Sequence, residues 1–153
     1  MSDRVVHRVL LVLSLIGIGI AGYLTYIHYR GFDPICAVGH GCERVQNSEW
    51  AKLAGVPVPL IGLIGYVGIF GSLLVRGELA RLATAAMAYI GFAFSMYLTY
   101  REIFTIEAIC QWCVASAIVM TLIAIFATVR VLRSDDDASY ASNLEREPEH
   151  EPA

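Results

Sequence analysis

The sequence predicts an all-α protein, a membrane-embedded bundle of four helices, and three observations carry that expectation. Of 153 residues, 57% are apolar and 16% charged, and a mean hydropathy of +0.60 is too high for a water-soluble domain of this size. Four runs without a charged side chain, 9–27, 56–75, 82–100 and 110–129, each supply about the 20 residues that a helix needs to cross a hydrocarbon core of about 30 Å. Positive charge is unevenly shared: Arg4, Arg8, Arg76, Arg81, Arg130 and Arg133 gather at one set of run ends, against Arg30, Arg44, Lys52 and Arg101 at the other. By the positive-inside bias both termini are expected in the cytoplasm, with the loop 29–55 and the segment 101–109 on the outer face. The formal net charge of −3 offers no basic surface to nucleic acid.

In chain order, the first run follows Arg4 and Arg8 as a signal peptide would. Its apolar stretch exceeds the usual 7 to 15 residues and no small-residue cleavage site follows, so it is expected to be a retained span. Pro57 and Pro59 stand at the entrance of the second run, where a missing N–H is tolerated. Within it Gly62, Gly65, Gly68 and Gly71, like Gly17, Gly19 and Gly22 in the first, read as sites of close helix approach. The short turn Arg76-Gly77-Glu78 makes the second and third spans antiparallel neighbours. Residues 1–133 are thus one membrane domain, and the polar, acidic stretch 134–153 is expected to be a disordered cytoplasmic tail.

The chain repeats itself. Tyr23-Leu24-Thr25-Tyr26 closes the first run and Tyr97-Leu98-Thr99-Tyr100 the third, and a cysteine follows ten residues later in each case, Cys36 and Cys110. The tyrosines read first as an interfacial belt, with a cofactor contact at Tyr97 as the sharper alternative. Two helix-thiol-helix units in one orientation are the economical reading, and all four cysteines then meet at one end of the bundle.

Those cysteines form two unlike pairs. Cys110 and Cys113 flank Gln111-Trp112 at the start of the fourth run; on a helix they lie about 5–6 Å apart, within reach of a disulfide, and a helix start stabilises a thiolate. A static disulfide or half a zinc site is the plainer reading of such a pair. Cys36 and Cys42 enclose five residues, two of them glycine, a spacing that suits a mobile loop better than a helix turn. His40 between them is more often simply solvated than functional. Downstream, 48–55 reads as a short helix with Ser48 as N-cap, whose Trp50, Leu53 and Ala54 rest on the bundle mouth as a lid. Two dithiols on one face suggest thiol-disulfide exchange in series. With no nucleotide fingerprint, haem motif or metal box in the sequence, a lipid-soluble quinone is the acceptor that suits a thiol pair at the end of a membrane helix. Trp112, Trp50, Tyr97 and Cys113 are the candidate quinone contacts, although Trp112 inside the thiol pair reads first as packing. The alternative is a metal-binding or metal-transporting protein with four thiolates around zinc or copper.

Cys36-x5-Cys42, Ser48, Gly55-Val56-Pro57 entering a span, and Cys110-x2-Cys113 opening the fourth together resemble the bacterial branch of the vitamin K epoxide reductase family, over roughly residues 8 to 132, and Cys42-Glu43-Arg44-Val45 followed by Ser48-Glu49-Trp50 is similar also to a run in its vertebrate members. The resemblance implies a four-helix bundle around a quinone, ubiquinone or menaquinone, in the bacterial inner (cytoplasmic) membrane, with no metal. It implies Cys110 and Cys113 as the redox centre, Cys113 facing the quinone. Cys36 and Cys42 become the shuttle pair, Cys36 exchanging with the partner and Cys42 with Cys110, and Ser48 supports the loop pair by hydrogen bonding. Many relatives carry a thioredoxin-like domain after the bundle; here an acidic tail follows, so the expected donor is a separate thioredoxin-like oxidase of the DsbA type. The residue four beyond Cys113 is Ala117, which departs from the vertebrate pattern for vitamin K and favours plain quinone reduction over epoxide reduction.

Overall fold

Four long helices carry the four apolar runs, and each departs from the length of its run for a local reason. The computed structural model describes residues 3–36 and 41–146. Helix α1 spans Asp3–Arg30, α2 Gly41–Gln46, α3 Val58–Leu74, α4 Glu78–Arg101 and α5 Gln111–Arg146. The charged ends of the first run join the helix because Asp3 lies in its first turn and His28 and Arg30 in its last, each favourable to the helix dipole. The second run is trimmed to 17 residues, about 25 Å, because Pro57 sits at the N-cap with φ −59° and ψ 130°, and its neighbour Val56 is in a strand. By length and composition, α1, the stretch Glu78–Ile106 and α5 can cross a membrane, while α3 is a shorter apolar helix. The chain is a membrane protein.

The helices close a ring: α1 packs on α3, α3 on α4, α4 on α5 and α5 on α1. Leu10, Tyr66, Ile69, Leu73, Ala88 and Ile123 meet at its centre. Gly17 is required there, because any side chain would overlap the Tyr66 ring. The glycines of α3 split in role. Gly68 faces the Met87 sulfur at close range, whereas a side chain at Gly65 or Gly71 would meet nothing nearby. Asp3, Arg81 and Arg133 come together at the end of the bundle where α1 begins, and the cysteines lie at the other.

Three expectations need correction. The segment 48–55 is not one helix: a single 3₁₀ turn, Glu49–Ala51, leads into a two-stranded antiparallel hairpin, β1 Lys52–Leu53 with β2 Val56–Pro57. Ala54 and Gly55 both take positive φ, 51° and 84°, the backbone of a tight hairpin turn, which outweighs the helical pattern. Cys42 belongs to the short helix α2, not to an open loop; His40 lies outside the described residues. The stretch from Ser134 continues α5 as far as Arg146. No proline or glycine interrupts the chain between Cys113 and Pro148, and Ser134 and Ser142 turn their hydroxyls back onto the carbonyls of Val131 and Ser139, so polarity alone does not end the helix.

Candidate active site

The cysteine end is built around a sharp reversal of the chain. After α4, residues Glu102–Ile106 form a π-helical turn, and Glu107 takes a left-handed conformation with φ 51°. The backbone then runs back, and the Cys110 N–H donates to Glu102 Oε2 at 3.3 Å. Cys110 stands immediately before α5 rather than inside it. Its carbonyl accepts the first helical bond, from the Val114 N–H at 3.0 Å, which makes it the N-cap. Cys113, three residues on, shares that first turn.

All four cysteines gather in one cluster. Cys42 and Cys110 are both 0% exposed and pack with Val45 and Ala108, with Cys36, Ile106, Trp112 and Cys113 against them. Cys36 and Cys42 are joined as a disulfide across 6.2 Å between Cα atoms, and Cys110 and Cys113 are free thiols. Gly41 makes the junction possible: a methyl group there would overlap the Ile109 carbonyl, so α2 comes to rest directly on the backbone that leads into Cys110. The Cys113 thiol is hydrogen-bonded to the Cys110 sulfur, and backbone N–H groups of Cys113 and Trp112 point at it as well. Together these hold the Cys110 thiol below its ordinary value, at about 7. Among the described residues, no three His, Cys, Asp or Glu side chains gather as a metal-binding group.

Beneath the thiols lies an apolar cavity of about 420 Å³ that Cys113, Glu102, Trp50, Tyr66, Ser116 and Met120 help to line. The 3₁₀ turn and hairpin contribute Trp50, Ala51 and Leu53 to its wall. Trp50 is held by Arg101, whose guanidinium lies 4.0 Å from the ring centroid and also sits over Tyr97 at 5.2 Å. The Arg101 Nε–H further donates to the Tyr97 hydroxyl at 3.2 Å. Tyr66 reaches across from α3, its hydroxyl 2.9 Å from both the carbonyl and the hydroxyl oxygen of Ser116.

Of the candidate quinone contacts, Cys113 and Trp50 line this cavity and Trp112 and Tyr97 do not. The Trp112 ring packs on Tyr23 at 5.0 Å and its Nε1–H donates to the Ile35 carbonyl at 2.9 Å. It therefore ties the start of α5 to the residue before Cys36. Tyr97 is 41% exposed and serves Arg101. Ser48 makes no cap bond to the turn that follows; its hydroxyl donates to the Val45 carbonyl at 2.7 Å, closing the helix that carries Cys42. Glu102, Gly41 and Tyr66 had no place in the sequence reading of the site.

The sequence profile of the Vitamin K epoxide reductase family matches residues 8–128. The chain belongs to that family. Thiol-disulfide oxidoreductase LTO1 of Arabidopsis thaliana is 47% identical over 45 residues, which are 29% of this chain and 12% of LTO1; the match thus spans a small part of that relative. The family match takes in all four long helices and both cysteine pairs, and it stops at 128, before the polar stretch of α5.

Proposed function

We propose that this member of the Vitamin K epoxide reductase family is a thiol:quinone oxidoreductase that reoxidises a separate thioredoxin-like disulfide oxidase and so supports disulfide formation outside the cytoplasm. One observation carries the reading: within a single cluster the two sealed sulfurs, Cys42 and Cys110, belong to different pairs, while Cys36 is half-buried and Cys113 lines the apolar cavity. Exchange between the pairs is then confined to the buried sulfurs, and each pair keeps one sulfur for an outside reactant. A cavity of about 420 Å³ with an apolar wall falls in the range that holds a small-molecule headgroup.

In this reading the partner's dithiol attacks the Cys36 sulfur and leaves with a disulfide, converting Cys36–Cys42 to two thiols. Cys42 then attacks Cys110 of an oxidised Cys110–Cys113 pair, and Cys36 resolves the mixed disulfide. The result is a Cys36–Cys42 disulfide beside two thiols at Cys110 and Cys113, the arrangement seen here. From that arrangement the second pair passes two electrons and two protons to quinone and closes its own disulfide. The reading sets the cysteine end on the outer face of a bacterial inner membrane and the arginine-rich end in the cytoplasm, with ubiquinone or menaquinone as substrate.

The test is turnover of the purified protein with a reduced thioredoxin-like oxidase and a soluble short-chain quinone. Cys113→Ala should bring quinol formation down to the uncatalysed rate, because the variant can form no Cys110–Cys113 disulfide for Cys42 to attack. Wild-type turnover in that variant would sink the scheme.

A further inference from the structure

Among the described residues, Glu102 is the one carboxyl that the cysteine end buries, at 5% exposure. Its surroundings are unusual for a structural acid. One carboxylate oxygen accepts the Cys110 N–H at 3.3 Å, and the Cys113 side chain is the other group close enough to act on the carboxyl. Among the described residues no cation pairs with it. Arg101, next to it in the chain, turns its guanidinium onto Trp50 and Tyr97. The titratable groups that face Glu102 are therefore Cys110 and Cys113. It also lines the cavity that Cys113 lines. A single backbone N–H needs only a neutral acceptor such as Asn or Gln, and an acid that lacks a cation is costly to bury. A proton carrier between a thiol and a substrate needs this position.

Resting on the reading of quinone as acceptor, we infer that Glu102 is a catalytic residue that takes the proton of the Cys113 thiol and delivers it to the quinone oxygen. The step balances as follows. The Cys113 S–H bond breaks and its proton moves to the Glu102 carboxylate. The Cys110 thiolate, whose own proton has gone to water, forms the S–S bond with Cys113. The electron pair released passes to the quinone, which takes one proton from Glu102 and the second from water, and Glu102 returns to the carboxylate. Both thiols are oxidised, quinone is reduced to quinol, and no further reactant is needed. The π-helical turn and left-handed Glu107 serve this step by bringing Glu102 back onto the residues eight and eleven positions later.

Single-turnover oxidation of the prereduced protein by a soluble quinone tests the assignment. Glu102→Gln keeps an oxygen for the Cys110 N–H but cannot shuttle a proton, and it should slow quinol formation about 100-fold. Glu102→Asp, with the acid on a shorter arm, should recover most of that loss. A second readout uses no quinone: infrared difference spectra between dithiol and disulfide wild type should show a carboxyl stretch that moves on oxidation, because the thiols beside the carboxyl lose their protons to the disulfide. Glu102→Gln at the wild-type rate, or no carboxyl change in the wild-type spectra, overturns the inference. Should Glu102→Gln fail to fold, the wild-type spectra decide. Should wild type form no quinol, the acceptor reading is what fails, and Glu102 is still judged by its infrared band.

Discussion

The two cysteine pairs follow one plan turned in opposite directions. In each, one sulfur is sealed at 0% exposure, Cys42 or Cys110, and the other has an opening, Cys36 beside the loop and Cys113 on the cavity. Their supports differ. Cys110 and Cys113 are fixed by the first turn of α5 and by Glu102. Cys42 rides on a six-residue helix that is held to the bundle by close contact of Gly41 with Ile109 and by the tie from Trp112 to Ile35. The contrast teaches that the fixed pair suits chemistry at the cavity and the lightly held pair suits exchange, because a mixed disulfide requires one partner to move.

The contact at Gly41 is where the comparison breaks most easily. Gly41→Ala places a methyl group on the Ile109 carbonyl, and backbone cannot yield as a side-chain tip can. The helix α2 must then lift, and Cys42 leaves its position beside Cys110. Partner-driven quinol formation is expected to fall about 100-fold, the scale of effect that a misplacement of about 1 Å has on a reacting pair. Oxidation of prereduced Cys110 and Cys113 by quinone should keep its wild-type rate. Equal loss in both assays would mean that Gly41 supports the bundle as a whole.

How much of this was legible beforehand depends on the range of the contacts involved. The four long helices, the gathering of the cysteines at one end and the lid contribution of Trp50 and Leu53 follow from periodicity, charge and turn residues, which are local. Glu102 was not legible, since in sequence it is one of several acids near a span end. Its burial is created by the π-helical turn and by Glu107. A signal was present: Ser95, Thr99 and Glu102 recur at helical spacing, and all three line the cavity. Trp112 was named as a quinone contact beside its plainer reading as packing, and packing is what it does: a helix start turns adjacent residues to different sides, and the ring points to Tyr23. Gly41 reads in sequence as loop flexibility; only the approach of Ile109 shows that it is a contact. The helical stretch 134–146 was misread because polarity is weaker evidence against a helix than a breaker is.

The fixed pair also makes a prediction about pH. With its thiol held at about 7, Cys110 is protonated and a poor nucleophile below that pH and a thiolate above it. Disulfide closure needs the thiolate, so the single-turnover rate should fall about tenfold per pH unit below 7 and level off above. The ultraviolet absorbance of the thiolate should titrate with the same midpoint. In Cys113→Ala, which removes the largest cause of the shift, that midpoint should rise toward the ordinary thiol range. An unchanged midpoint would show that the helix start, not the neighbouring thiol, sets the reactivity of Cys110.

The smallest effect is expected where the lid meets the bundle. Arg101 holds Trp50 by a cation–π contact at 4.0 Å, and Trp50 is 39% exposed, so water weakens the attraction to about 0.5–1 kcal/mol. Arg101→Gln removes it and keeps a polar side chain at the span end. Because the cavity wall includes Trp50 and Arg101 but not Cys36, the loss should fall on the quinone side, as a two- to fivefold higher KM for quinone, about what that energy is worth. The partner's KM and the rate of exchange between the pairs should stay as in wild type. If the partner's KM rises instead, the lid belongs to the docking surface around Cys36, and the division of labour between the two pairs does not extend to the segment that connects them.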